Sequence, residues 1–207
     1  MKILSHRGYW KTAEEKNTAT AMHRSFSLGF GTETDVRDYN GKLVISHDIP
    51  DSSAISFEEF LEIYCSYDRN LFLALNIKSD GLQNKLQEIL AKFQVNNYFV
   101  FDMSVPDGLK YLQQKIHSFT RQSEYEKEPS FYEDADGVWL DSFKSDWIEN
   151  DLILEHLRKG KKVCLVSPDL HKRNHLEIWQ RYQTLRSENN LFLCTDFPEE
   201  AQNFFNL

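Results

Sequence analysis

Short strand-like runs alternate along the chain with longer amphipathic segments. Eight runs have the length of buried strands, and they lie at 2–6, 31–36, 71–77, 98–103, 117–122, 137–142, 162–167 and 191–196. Most of the intervening segments repeat apolar residues every three or four positions, which predicts helices within 17–29, 56–66, 81–93, 108–114, 149–160 and 175–186. Regular alternation of strands and helices predicts a parallel sheet.

Signals for helix ends sharpen several of these boundaries. Ser56 and Glu59 have the spacing of a capping box, which predicts the start of the second helix. Gly29 and Gly160 stand where two other helices should end. The segment 123–136 has the weakest pattern, and it predicts a loop with a short helix.

Eight strand–helix units predict an α/β fold, a (β/α)8 TIM barrel that occupies residues 1–207 as a single domain. The length is close to the lower limit of about 200 residues for this fold, which leaves no room for a large inserted subdomain. Asn40 and Gly41 predict a tight turn, so the segment 39–48 should form a hairpin arm after the second strand.

Charge and composition limit the class of partner. The formal net charge of −8 argues against binding to a nucleic-acid polymer, although a local pocket for phosphate is compatible with it. Cys65, Cys164 and Cys194 are far apart and predict neither a zinc site nor a disulfide framework. We find no signal-peptide pattern, no membrane-spanning stretch and no basic amphipathic stretch. We therefore expect a cytoplasmic protein with no stable membrane association.

Polar or ionisable residues follow the apolar part of nearly every strand. The C-terminal strand ends of a (β/α)8 barrel surround the active site, so these side chains should converge at one mouth. The residues are His6, Arg7, Glu33, Asp35, Asn76, Lys78, Asp102, Arg121, Asp141, Ser167, Asp169, Thr195 and Asp196. A whole ring of polar strand ends favours a charged, concave site.

Two carboxylates and two histidines near this ring have the chemistry of a phosphodiester site. Glu33 and Asp35 share one face of their strand, where their mutual repulsion favours a hard cation such as Mg²⁺ or Ca²⁺. Phosphodiester cleavage requires a base and an acid, and His6 and His47 are the candidates because histidine serves both roles near neutral pH. Arg7 matches a phosphate with its planar guanidinium. Each residue by itself is more often structural, and their combination carries the prediction.

The motifs that contain these residues resemble the glycerophosphodiester phosphodiesterase family, within the phosphatidylinositol-phospholipase-C-like phosphodiesterases. They are HRG at 6–8, NT at 17–18, ETD at 33–35, GKLVISHD at 41–48, NIK at 76–78 and TDFPEEA at 195–201. Each motif is common, but their order and spacing together are specific. The resemblance implies the (β/α)8 barrel that the element count also predicts.

The resemblance further implies a role for each site residue. His6 and His47 would be the acid/base pair, Glu33 and Asp35 would bind a divalent metal, and Arg7 and Lys78 would hold the phosphate. In such enzymes a substrate hydroxyl next to the phosphoester attacks phosphorus, and water then opens the cyclic phosphodiester. The expected activity is hydrolysis of a small soluble diester that is glycerophosphodiester-like, a phosphosugar or nucleotide-linked, with Mg²⁺, Ca²⁺ or Mn²⁺ as cofactor. Variants of this expectation are a lyase that releases the cyclic phosphate and a lysophospholipase-D-like enzyme.

The main departure from the family is Asn76, because the family has glutamate there as its third metal ligand. The amide oxygen of Asn76 can still coordinate the metal, but it brings no negative charge. We therefore expect weaker metal binding or a substitute ligand such as Asp102 or Asp141. A barrel that binds a phosphate ligand without turning it over is the alternative from a different functional class.

Two other residues near the mouth have roles that the sequence leaves open. Arg121 is either a second anion contact for the substrate or an ion-pair partner of Glu124. Trp139 precedes Asp141 by two positions and shares its face of the strand. Its ring either stacks on a substrate sugar or base or belongs to the core, and the core is the more common place for tryptophan. The stretches around these residues differ from the family pattern, which favours a substrate other than a simple glycerophosphodiester.

Overall fold

Strands and helices alternate in the computed structural model, which describes residues 1–207. The elements in chain order are β1 (Lys2–His6), α1 (Ala19–Ser27), β2 (Gly31–Tyr39), β3 (Lys42–Ile45), α2 (Phe57–Cys65), β4 (Leu73–Ile77), α3 (Gln83–Phe93), β5 (Tyr98–Phe101), α4 (Val105–Gln113), β6 (Phe119–Gln122), β7 (Gly137–Leu140), α5 (Asn150–Arg158), β8 (Lys162–Val166), α6 (Leu176–Tyr182), β9 (Leu191–Thr195) and α7 (Pro198–Phe205). Short 3-10 helices lie at Ala13–Glu15, Pro168–His171 and Gln183–Leu185. Each strand expected from the sequence is present. None of the helices has the length and apolar content that crossing a bilayer requires.

The strands form one nearly closed barrel, which confirms the predicted fold. Around the barrel the order is β1, β2, β4, β5, β6, β7, β8 and β9, and β3 pairs antiparallel with β2 as the expected hairpin arm. The remaining neighbours are parallel, so all their C-terminal ends lie at the same mouth. A single bridge between Val100 and Ser118 joins β5 to β6, and this is the seam at which the barrel closes.

The residues of β4 show how each strand separates the two cores. Leu73, Leu75 and Ile77 pack outward in the cluster between the sheet and the helices, whereas Ala74 belongs to the cluster inside the barrel. Asn76 shares the inward face with Ala74, because successive side chains on a strand point to opposite sides. The amide of Asn76 is therefore directed into the barrel, as the sequence pattern predicted.

Aromatic rings fill much of the barrel interior next to the seam. Phe99 stacks on Phe119 with ring centroids 3.7 Å apart, and Phe101 stacks on Trp139 at 3.8 Å. These pairs join side chains of strands on both sides of the seam, where only one backbone bridge is made. Packing of the rings thus replaces part of the missing strand pairing.

The helix ends agree with the sequence signals, and one expected helix is absent. Ser56 and Glu59 form the reciprocal bonds of a capping box, while Gly29 and Gly160 follow their helices with φ of 80° and 79°. The segment 123–136 contains turns and no helix, so the expectation of a short helix there is wrong. This segment is rich in charged residues, includes Pro129 and lacks an apolar face that a helix would bury.

Candidate active site

The HRG motif forms the turn that ends β1. Arg7 has φ of 59° and Gly8 has φ of 79°, so two successive residues adopt the left-handed conformation. Gly8 is required here, because a Cβ atom at this position would lie 2.8 Å from the Cβ of Ala21 in α1. The turn directs the Arg7 amide at Glu33, where it donates to the backbone carbonyl at 2.9 Å and to Oε2 at 3.2 Å.

His6 is oriented by a carboxylate from the other end of the chain. Its Nδ1 lies 2.7 Å from Oδ1 of Asp196, which follows β9, and its Nε2 lies 3.9 Å from Oε2 of Glu33. Asp196 is fixed in turn, because its amide donates to Oδ2 of Asp169 at 2.8 Å. This arrangement sets the orientation of the imidazole and leaves Nε2 facing the carboxylate pair.

Glu33 and Asp35 lie side by side and are almost completely buried, with exposed fractions of 2% and 0%. Oδ2 of Asp35 lies 3.0 Å from Nε of Arg7 and accepts a hydrogen bond of 2.8 Å from Nδ2 of Asn17. Burial, and then the charge of Asp35, raise the pKa of Glu33 to about 7, although nearby cations act in the opposite direction. Because both carboxylates are buried and neighbour each other on one face of β2, the charged form of one of them is disfavoured.

The NIK motif reaches the same carboxylates from β4. Nζ of Lys78 lies 3.4 Å from Oδ1 of Asp35 and 3.9 Å from Oδ2 of Asp102. Asn76 is the register partner of Asp35 and is 7% exposed. Oδ1 of Asn76 and Oδ1 of Asp35 are both buried without a hydrogen-bond partner.

The donor set fits a hard divalent cation. Glu33, Asp35 and Asn76 supply oxygen atoms from two adjacent strands. A cation would satisfy the buried Oδ1 of Asn76 and add to the ion pair that Oδ1 of Asp35 makes with Lys78. The substitute carboxylates considered from the sequence do not join the pair. Asp102 lies beside the amide of Asn76 but is paired with Lys78 and Arg121, and Asp141 is bound to His171, so the candidate third ligand remains an amide. No group of three or more His, Cys, Asp or Glu side chains is arranged so that these residues alone could hold a metal ion.

His47 stands on the hairpin arm at the rim of the mouth. The residue lines a cavity of about 430 Å³ together with Arg7 and Asn17, so it faces the same space as the HRG turn. His47 is 45% exposed, and its Nδ1 lies 2.8 Å from Oδ1 of Asp48, which is 93% exposed. Such an exposed pair fixes the imidazole less firmly than the buried partner of His6 does.

Arg121 is an ion-pair residue at the seam of the barrel. Its Nη1 lies 3.0 Å from Oδ1 of Asp102, and its Nε lies 2.5 Å from Oε2 of Glu126. Of the two roles that the sequence left open, the ion pair with Glu124 is not formed, because Glu124 instead accepts hydrogen bonds from backbone amides such as that of Lys144. Arg121 thus reaches the mouth with two carboxylates already bound, which weakens its role as an anion contact.

Trp139 belongs to the barrel core, which corrects its assignment as a substrate contact. Its exposed fraction is 5%, and its ring face is covered by Phe101. The alternation along β7 places Trp139 one layer below Asp141, beneath the mouth rather than in it. The ring is stacked on Phe101 and packs at a tilt against Phe99 with centroids 6.5 Å apart, so it is part of the core packing across the seam.

Three residues have roles at the site that the sequence did not assign to them. Asp196 orients His6, Asn17 binds Asp35 and also accepts from Thr34, and Asp102 links Lys78 to Arg121. The motifs at 17–18 and 195–201 already contained Asn17 and Asp196. Their partners are distant in sequence, so the motifs gave no role to either residue.

The barrel matches solved phosphodiesterases over its whole length. A protein from Galdieria sulphuraria, provisionally assigned as a glycerophosphodiester phosphodiesterase, aligns with a TM-score of 0.79 at 19% identity and covers 100% of this chain and 98% of its own. A phosphodiesterase from Oleispira antarctica, solved in complex with the product sn-glycerol-3-phosphate, aligns with a TM-score of 0.71 at 17% identity, with 100% and 97% covered. A Ca²⁺-dependent phosphatidylinositol-specific phospholipase C from Streptomyces antibioticus aligns with a TM-score of 0.55 at 10% identity, with 99% and 95% covered.

These similarities define the class of fold. The chain has the (β/α)8 barrel of the glycerophosphodiester phosphodiesterases, and its fold is closer to them than to the phospholipase C. No family model and no curated protein matches the sequence. The family motifs and the fold therefore agree, while the sequence is far from the solved proteins.

Proposed function

We propose that the protein is a metal-dependent phosphodiester hydrolase for a small soluble substrate with a hydroxyl group next to the phosphoester. The observation that carries this proposal is the position of the His6–Asp196 pair beside the buried Glu33 and Asp35, with the positive charge of Arg7 directly at the carboxylates. The similarity to phosphodiesterase folds supports the same reaction class.

His6 is the residue best placed to take the proton from the attacking hydroxyl, because Asp196 on Nδ1 stabilises the imidazolium that forms. His47 would then donate a proton to the leaving oxygen from the rim of the cavity. Arg7 and Lys78 would bind the non-bridging oxygens. Glu33, Asp35 and Asn76 would hold the divalent cation, which would supply Lewis-acid stabilisation of the charge on the phosphoryl group.

Phosphorus NMR of the reaction tests this function. Purified protein with Mg²⁺, Ca²⁺ or Mn²⁺ should convert members of a panel of glycerophosphodiesters, phosphosugar diesters and nucleotide-linked diesters into phosphomonoesters. A transient five-membered cyclic phosphate signal is expected, because the attacking group is the neighbouring hydroxyl. If the cyclic phosphate accumulates as the final product, the protein is a lyase. If no diester is cleaved with any of the metals, the hydrolase proposal is wrong.

A non-catalytic barrel that binds a phosphate ligand is the second candidate. It is favoured by the amide at Asn76 and by the two cations, Arg7 and Lys78, that already contact Asp35. Such contacts weaken the attraction of the carboxylate for a metal.

Asn76→Glu separates these two functions. A third carboxylate beside Asp35 should tighten Mn²⁺ binding about tenfold or more, as judged from the range of affinities that ligand charge produces in oxygen sites. Isothermal titration calorimetry measures this change, and Asn203→Glu on the exposed face of α7 is the matched control. If the wild-type protein is inert and Asn76→Glu is active, the non-catalytic function is correct. If the wild-type protein is active and the variant changes only metal affinity, the hydrolase function is correct.

A further inference from the structure

A third histidine–aspartate pair lies at the mouth, apart from the residues that would bind the phosphate. Nε2 of His171 lies 2.7 Å from Oδ1 of Asp141. Asp141 follows β7 and is 6% exposed, and His171 ends the 3-10 helix after β8 with 22% of its side chain exposed. No side chain or backbone group of the protein is hydrogen-bonded to Nδ1 of His171, which is therefore free for a ligand.

The strand order places this pair across the mouth from the phosphate residues. β8 is four strands from β4 in either direction around the barrel, and β7 is four strands from β2. His171 therefore lies opposite the strand of Asn76 and Lys78, and Asp141 lies opposite Glu33 and Asp35. A diester held at Arg7 and Lys78 would extend one of its two substituents toward this pair.

An aromatic ring borders the same place. Phe143 lies with its ring centroid 5.0 Å from that of His171 and 5.8 Å from the guanidinium carbon of Arg121. Its loop is fixed by Glu124, which accepts hydrogen bonds of 3.0 Å from the Phe143 amide and 2.9 Å from the Lys144 amide. The ring is thus positioned by hydrogen bonds between Glu124 and the backbone of its loop, and it is only partly covered.

The charged groups that contact Phe143 and His171 are already paired. Arg121 contacts Asp102 and Glu126, and His171 contacts Asp141. Lys144 and Lys172, the next residues along the chain, are exposed, and Lys144 lies over the ring of Tyr125 rather than that of Phe143. The remaining features are a free imidazole nitrogen and an aromatic face, which suit hydroxyl groups on a ring.

We propose that His171 and Phe143, with Asp141 as the positioning residue for His171, form a subsite for the substituent of the phosphodiester, and that this substituent is a neutral hydroxylated ring such as a sugar or cyclitol. The imidazole of His171 forms a hydrogen bond through Nδ1 with a hydroxyl of the substituent, and the sugar or cyclitol ring packs on the phenyl ring of Phe143. The inference rests on the proposed phosphodiester substrate, but it concerns specificity rather than the reaction itself.

The test compares kcat/KM for glycerophosphoinositol, which carries a hydroxylated ring, with that for glycerophosphoethanol, which carries none. The wild-type protein should have the higher kcat/KM for glycerophosphoinositol. His171→Ala should lower the ratio of the two kcat/KM values about tenfold or more, because a site that hydrogen-bonds a substrate hydroxyl discriminates strongly against a substrate without one. Asp141→Asn should lower the ratio similarly, and the double variant should lose no more than either single variant, since both act through the same imidazole. Phe143→Ala provides a second variant that leaves the His171–Asp141 bond intact.

The chain supplies a matched control. His117 and Asp136 form a similar pair at 3.1 Å, but they precede β6 and β7 and lie at the opposite end of the barrel. His117→Ala should leave the ratio unchanged. Equal losses for both substrates in His171→Ala, or a preference of the wild-type protein for glycerophosphocholine, would overturn the subsite.

The binding equilibrium distinguishes failure of the subsite from failure of the reaction. If the protein cleaves neither diester, the hydrolase proposal fails, and the dissociation constants of the same two diesters are then measured by calorimetry. The subsite is supported if the inositol diester binds more tightly and His171→Ala removes the difference. It is rejected if the two diesters bind equally well to the wild-type protein.

Discussion

His6→Asn should reduce kcat by about a thousandfold, within the range of 10²–10⁴ that general acid–base catalysis contributes. The side-chain amide of asparagine can still donate to Asp196, which lies 2.7 Å from Nδ1 of the histidine, so the local packing should be kept. The asparagine side chain, however, has no basic group at the place of the histidine Nε2 that could accept a proton. Steady-state kinetics on the best diester of the panel measures the loss.

Two further variants give this prediction its specificity. His117→Ala removes another histidine with an aspartate partner. This variant should leave kcat unchanged, because His117 precedes β6 and lies at the end of the barrel opposite the mouth. Asp196→Asn should lower kcat less than His6→Asn, since it removes only the support of the imidazolium. Similar rates for His6→Asn and the wild-type protein would contradict the assignment of His6 as base.

The metal-free protein should lose stability between pH 5 and pH 7, and Glu33→Gln should abolish this loss. The pKa of Glu33 is about 7 in the folded protein against an ordinary value of 4.5, so within this range the folded state holds a proton that the unfolded state has released. Stability therefore falls as pH rises, until the folded carboxyl has also lost its proton. A shift of this size corresponds to about 3 kcal/mol in the free energy of unfolding.

Urea unfolding in a chelator at pH 5, 6, 7 and 8 measures this dependence. Glu177→Gln, on the exposed side of α6, is the matched control and should keep the wild-type pH dependence. Added Mn²⁺ should restore stability to the wild-type protein at pH 8 by mass action, and should stabilise Glu33→Gln less. Equal pH dependence in wild type and Glu33→Gln would show that the carboxyl is not protonated in the fold.

Much of the fold was predictable because its signals are local. The alternation of strands with helices, the capping box at Ser56 and Glu59, and the turn at Asn40 and Gly41 each depend on residues close in sequence. The short helix expected within 123–136 was wrong because that segment has little apolar surface to bury. Helices in such a barrel are stabilised mainly by packing on the sheet, so a polar connection stays irregular.

The site was predictable only where a motif keeps its residues together. HRG, ETD and NIK identified side chains that the parallel register brings to one mouth, with His6 beside Glu33 and Asp35 beside Asn76. The environment of each side chain could not be predicted from these motifs. Trp139 and Asp141 share a face of β7, yet the tryptophan is stacked in the core and the aspartate is bound at the mouth.

The sequence by itself determined the barrel, the end of the barrel that carries the polar groups, and the identity of the phosphodiesterase-like motifs. Only the tertiary structure decided which partner each group has. The Asp196 partner of His6 lies 190 residues away, and the Asp141 partner of His171 lies 30 residues away. Closing the barrel brings these pairs together, and the same closure removes water from Glu33 and raises its pKa. Such effects depend on burial and distance in space, which no local pattern of residues records.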